Sequence, residues 1–207
     1  MKRAMIGATL AVLSLSLSLP AMAATKQQYQ VKGQSAGAGF YQSDSDGCNS
    51  INVSVWTGDN VSRNAPGAPT SQKYAEIYYS NYNFCTGTGS YGYGSSSDAT
   101  FTTNQLNSAN LKGTFTVNEF SASGTSDATK TVNVNLTWTG AGDTYRGNSH
   151  SHFQGANYIS NSRYVGAYRE AQVSGAVTMD GKNLITNLSS YGSLNSSNSG
   201  SMEIIKK

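Results

Sequence analysis

Thr131-Val132-Asn133-Val134-Asn135-Leu136-Thr137-Trp138-Thr139 alternates without a break, with Val132, Val134, Leu136 and Trp138 in one phase and only Asn and Thr in the other. Successive side chains of a strand point to opposite faces, so this stretch predicts a strand with one face on a core and one in water. The same period of two recurs upstream, where Ile51, Val53 and Val55 alternate with Asn52, Ser54 and Trp56. It returns over Lys73 to Phe84, which carries Tyr74, Glu76, Tyr78, Tyr82 and Phe84. Further strands are expected at Ala99–Thr103, Leu111–Phe120, His150–Phe153, Arg163–Met179 with a break at Gly166 or Gly175, Leu184–Leu188 and Met202–Ile205. No segment shows the 3.6-residue stripe of a helix.

Parallel pairing needs long crossover connections, and none are available between these segments. The expectation is therefore all-β: an antiparallel two-sheet sandwich, Ig-like or jelly-roll-like, with one disulfide. Thr57 to Gln72, with Pro66, Gly67 and Pro69, is expected to be a loop, because proline cannot donate to a ladder. Cys85 to Ser97, almost wholly Gly, Ser, Thr and Tyr, is expected to be an exposed mobile loop. Ser121 to Ala128 reads as a hairpin connection and Asp180-Gly181 as a tight hairpin turn. No internal period of the solenoid or propeller kind is visible.

The N-terminus sets the compartment. Lys2 and Arg3 precede an apolar and serine run from Ala4 to Leu19, then Pro20-Ala21-Met22-Ala23, the layout of a secretion signal with an Ala-x-Ala cleavage site. Residues 1–23 are read as a cleaved signal peptide and residues 24–207 as one domain, secreted or periplasmic. The run is interrupted by Ser14, Ser16 and Ser18 and is short for a retained anchor, so no membrane span is expected after cleavage.

The whole chain has 14 basic and 11 acidic residues. Losing Lys2 and Arg3 leaves a nearly neutral domain with no electrostatic footprint for nucleic acid, whose binding relies on clustered Lys and Arg, so no nucleic-acid partner is expected. In an oxidising compartment Cys48 and Cys85 are most simply a disulfide, the more so because no His lies near either in sequence. If the flanking strands pair antiparallel, the two cysteines meet at the same end.

The two histidines, His150 and His152, share a strand face. With a carboxylate such as Asp143 or Glu170 they could hold Zn or Cu; the alternative is a hydrogen-bonded pair at a strand end. Asp44-Ser45-Asp46-Gly47 imitates the start of an EF-hand loop, but Val55 occupies the position of the closing glutamate, leaving only a looser Ca site open. Gly87-Thr88-Gly89-Ser90-Tyr91-Gly92 matches a dinucleotide fingerprint in letters only, since no helix follows to hold a pyrophosphate. There is no Gly-x-Ser-x-Gly elbow, and nothing pairs two carboxylates for glycosidase chemistry, so no catalytic residue is assigned.

Candidate ligand contacts are Tyr91 and Tyr93 in the glycine-rich segment, and Tyr145, Arg146, Arg163 and Tyr164 in the stretch around the histidines. Aromatic rings stack on sugars, and Arg forks onto carboxylates.

The segments Tyr82-Asn83-Phe84-Cys85-Thr86-Gly87, Val134 to Gly140, Ser149 to Phe153 and Asn161-Ser162-Arg163 together resemble a set of exported bacterial proteins with no established activity. That resemblance implies export and a unit running from Trp138 to Arg163; it lends no catalytic residue. The functional expectation is a non-enzymatic surface or matrix protein that binds a glycan or other extracellular polymer. The alternative is a metal-binding protein or metal-dependent enzyme centred on His150 and His152. A purely structural matrix component is the third class.

Overall fold

The computed structural model describes residues 24–122 and 126–205; the expected signal peptide lies outside the described residues. Ten strands follow one another: β1 (Thr25–Ser43), β2 (Asn49–Ala65), β3 (Thr70–Asn83), β4 (Thr88–Ser95), β5 (Thr100–Asn104), β6 (Ser108–Ser121), β7 (Ser126–Gln154), β8 (Tyr158–Met179), β9 (Lys182–Asn183) and β10 (Ser189–Ile205). All pairings are antiparallel, as short connections require.

The ladder runs β10-β1-β2-β3-β4-β6-β7-β8-β9, with β5 paired to β6, and β8 also pairs β10. Eight strands thus form a closed circuit whose opposite walls enclose one core in a sandwich-like closure. Trp138 of β7 crosses that interior and donates its indole N–H to the Gly37 carbonyl of β1 at 2.8 Å. The alternation over Thr131 to Thr139 is realised in full, with Val132, Val134, Leu136 and Trp138 all buried together with Phe115, Ile77, Val55 and Leu194.

The circuit closes over only half the length of its longest strands. β6 pairs β7 up to Thr139, and β4 pairs β3 only from Glu76 onward. Past those points β7, β8, β10, β1, β2 and β3 continue as a six-stranded sheet that, beyond the contact of Thr103 with Gln34 at its rim, no layer of the described residues faces. The boundary is marked by a break in the β7–β8 register between Gly140 and Thr144. We call the two parts the closed half and the open half.

Several elements differ from the sequence expectation for identifiable reasons. His150–Phe153 is not a separate strand but the end of the 29-residue β7, and β8 runs unbroken through Gly166 and Gly175. The expected loop between Thr57 and Gln72 shrinks to a turn after the cis Ala65-Pro66 bond, because β2 keeps its ladder with β1 to Ala65. The glycine-rich segment after Cys85 contains strand β4. Gly92 lies under the Tyr79 ring and Val117, where a Cβ would stand 2.5 Å from the ring, so glycine is what lets this strand pack.

Leu184–Leu188 forms turns instead of a strand. The Asn183 side-chain oxygen accepts the Val177 and Ile185 backbone N–H groups at 3.1 and 3.4 Å, which folds Ile185 into the core. Asp180 and Gly181, at φ of 49° and 76°, make the expected tight turn with two consecutive left-handed residues. Cys48 and Cys85 form the expected disulfide, with Cα atoms 5.2 Å apart, next to the paired Asn49 and Asn83. Such a bond fits an oxidising compartment. Among the described residues no helix is long and apolar enough to cross a membrane.

Candidate functional site

The open half derives its chemistry from strand alternation. Both faces are wet, so neighbouring residues in the sequence serve two different surfaces. The side continuous with the core is called the core-side face, and the other the outer face.

On the outer face one cross-strand row reads Tyr74, Gly58, Ser35, Asn195, Tyr168, Tyr145, from β3 through β2, β1, β10 and β8 to β7. Aromatic residues stand at both ends, with small or amide-bearing residues between. At about 4.8 Å per strand spacing the row is about 24 Å long. The Tyr74 ring leans over Gly58, where an added Cβ would be 2.5 Å from it, so only glycine lets the ring lie flat on the backbone. Tyr191 covers Gly39 in the same way.

Trp56, Tyr74 and Tyr191 border a shallow cleft of about 130 Å³ floored by Gly37 and Ser193. Tyr145, Tyr164 and Tyr168 border a second of about 360 Å³, with Tyr145 and Tyr168 ring centroids 6.2 Å apart. All six of these aromatics are exposed.

The core-side face is different. There Arg63, Gln30, Gly200, Arg163 and His150 share a row, and Lys32 and Arg146 stand on neighbouring rows. The candidate contacts around the histidines are therefore divided: Tyr145 and Tyr164 face outward, whereas Arg146 and Arg163 face the core side. Tyr91 and Tyr93 lie on β4, on the outer surface of the closed half. Tyr91 stacks on Phe120 at 5.4 Å and 18°, and burial together with the Glu76 carboxylate raises the Tyr93 phenol above its usual range. They are strand residues in ladder pairs and stand apart from the row of the open half.

His150 and His152 share the core-side face as expected. His150 lies opposite Arg163, and His152 Nδ1 is 2.6 Å from the Asn161 side-chain oxygen. Glu170 projects from the outer face, and Asp143 sits in the β7 bulge, seven residues from His150 and roughly 20 Å away at strand rise. Neither carboxylate joins the pair, and among the described residues no group of three or more His, Cys, Asp or Glu could hold a metal ion. Asp44 and Asp46 tie down their own turn, accepting the Asn49 and Cys48 backbone N–H groups at 2.8 and 3.0 Å.

Of the remaining shifted groups, Tyr79 and Lys130 lie in the ladder of the closed half and Asp44 in the turn before β2. Tyr79, desolvated and donating to Glu119, is raised, and Lys130 is raised by its bond to Asp180. None of them lines the clefts of the open half.

Trp56, Tyr74 and Tyr191 were not singled out by sequence reasoning. For Trp56 the signal was its phase: it alternates with Val53 and Val55 alongside Asn52 and Ser54, which makes it an outward tryptophan.

No protein-family model and no curated protein matches this chain. Two solved structures show a distant likeness, each at 9% identity over 88% of this chain. One is a protein of Nitrosomonas europaea described as an AttH, at a TM-score of 0.28. The other is an acetoacetate decarboxylase-like enzyme from Sphingomonas wittichii RW1, at 0.32. The chain spans about half the length of the first (52%) and most of the second (92%). Superpositions this loose carry no argument about activity.

Proposed function

We propose that this chain is an exported, non-enzymatic protein that binds an extracellular glycan or similar neutral polymer along the outer face of its open half. The observation that carries the proposal is the row from Tyr74 to Tyr145, with rings at each end and Ser35 and Asn195 between them. Aromatic faces pack against the apolar faces of sugar rings, while hydroxyl and amide groups satisfy the sugar hydroxyls between stacking points. The clefts are shallow and open onto the exposed sheet face, which suits an extended chain lying across the strands. The Cys48–Cys85 disulfide supports an extracytoplasmic setting.

The test is a panel of neutral polysaccharides titrated into the purified domain with tryptophan fluorescence as the readout. Trp56 is 43% exposed and Trp138 is fully buried, so a ligand on the outer face alters emission through Trp56. Binding is expected, with Tyr145→Ala and Tyr168→Ala together weakening it about tenfold, in line with loss of the aromatic anchor at one end of the row. Tyr91→Ala is expected to leave it unchanged. A flat response across the panel overturns the proposal.

A further inference from the structure

The core-side face of the open half carries a charge pattern that the nearly neutral composition conceals. Lys26, Lys32, Arg63, Arg146 and Arg163 all project from it, all are exposed, and none has a hydrogen-bond or ion-pair partner among the described residues. The one acid on the same face, Asp59, is held by Lys73 at 3.7 Å. The outer face of these strands has no lysine or arginine and carries Glu76, Glu170 and Glu203. A single sheet therefore separates cations from anions by side.

We infer that this cationic face is a second binding site, distinct from the aromatic row, and that its ligand is an acidic polysaccharide. Arg63 and Arg163 share one row, with Gln30 and Gly200 between them, about 14 Å apart at three strand spacings. Gly200 leaves the centre of that row without a side chain, and the depression there has a volume of about 610 Å³, lined also by Gln28, His150 and Met202. Lys26 and Lys32 extend the positive surface along β1 by about 20 Å at strand rise.

Charges this far apart do not converge on one small ion; they match anionic groups repeated along a polymer. The arginine fork accepts a carboxylate with two parallel hydrogen bonds, and Gln28 and Gln30 offer amides to hydroxyls. Among the described residues no Phe, Tyr or Trp projects from this face, whose only rings are the imidazoles of His150 and His152 at its β7 edge, whereas single-stranded nucleic acid is held largely by stacking on larger aromatic rings. An acidic sugar polymer is favoured on that ground.

The experiment measures binding of the domain to oligomeric polyuronate, with neutral dextran and single-stranded DNA of similar length in parallel. Expected are binding to polyuronate that weakens steadily as salt is raised, no salt-dependent binding to dextran, and weaker binding to DNA. Arg63→Gln with Arg163→Gln should cost about tenfold in affinity, and Lys32→Gln with Arg146→Gln a similar amount. Lys112→Gln, an exposed cation on β6 outside this face, should change nothing. Far-ultraviolet circular dichroism confirms that each variant is folded, and the salt series on the unaltered protein needs no variant at all.

No polyuronate binding at low salt, an equal loss in Lys112→Gln, or tighter binding to DNA overturns the inference. Tyr145→Ala with Tyr168→Ala separates this site from the aromatic one. Polyuronate binding should survive those changes, and its loss would move the ligand to the outer face and overturn the assignment.

Discussion

β1 passes through both halves of the molecule with its phase unchanged, yet the same side of the strand meets two environments. From Ala36 onward that side carries Ala36, Ala38 and Phe40, all buried; before it come Lys26, Gln28, Gln30, Lys32 and Gln34, mostly exposed. The strand pairs β10 and β2 along both stretches. What differs is the facing wall: β4, β5 and β6 stand opposite the closed half, and only β5 touches the rim of the open half, where Thr103 bonds Gln34. Pairing makes a strand, but only a second layer makes a core. In this protein the layer ends partway along its strands and leaves both faces of the sheet exposed where it ends.

The strongest challenge to this contrast is core deletion. Trp138→Ala in the closed half should cost about 5 kcal/mol in denaturant unfolding, from the cavity left and the Gly37 carbonyl deprived of its donor. Val165→Ala, on the core side of the open half, should cost well under about 1 kcal/mol, since the side chain is already 36% exposed. Comparable losses at the two positions would mean that the open half is covered in solution. Next in size is the disulfide. Replacing Cys48 and Cys85 by Ser frees a loop with a sequence separation of 37, worth about 4 kcal/mol in the chain-entropy description, read as a lowered denaturation midpoint.

Hydrogen exchange resolves the comparison within one strand. Amides of β7 from Val132 to Trp138 should exchange near the global unfolding limit, and those from Thr144 to Gln154, paired only to β8, much sooner. Uniform protection along β7 would break the division. Smaller again, Arg63→Gln and Arg163→Gln should shift stability by no more than about 0.5 kcal/mol, since both side chains are exposed and without a partner among the described residues.

The least of these effects concerns the turn before β2. The Asn49 backbone N–H, aided by its side-chain amide, holds the Asp44 carboxyl below the usual aspartate range despite opposing desolvation. A depressed carboxylate stabilises the fold above its unfolded-state value, and that contribution is lost as pH falls from the ordinary aspartate range through the lowered one. Carboxyl NMR titration should show the depression, and Asn49→Ala, which removes the side-chain amide, should reduce it.

Much of the fold could be read from local chemistry. The phase of Val132 to Trp138, the Asp180-Gly181 turn and the meeting of Cys48 with Cys85 each depend on residues close in sequence or on one hairpin. Strands whose two faces are both polar were harder to read. β1 begins Thr25-Lys26-Gln27-Gln28-Tyr29-Gln30, which gives no hydrophobic alternation, and β4 pairs β3 and β6 with glycine at Gly92 making room for the Tyr79 ring. The candidate contacts suffered most. Tyr145 and Arg146, like Arg163 and Tyr164, are chain neighbours that look like one cluster in sequence, and a strand sends them to opposite sides.

The sequence by itself determined the β character, the antiparallel class, the disulfide and the phase of each strongly alternating strand, because these follow from side-chain volume, backbone preference and short loops. Only the tertiary structure decided which phase is covered and where the cover stops. Those depend on pairings between residues far apart in the chain, such as Gly37 with Trp138 and Gln30 with both Arg63 and Gly200, which no local pattern encodes. The same long-range register lines up cations on one side of the open sheet and aromatic rings on the other.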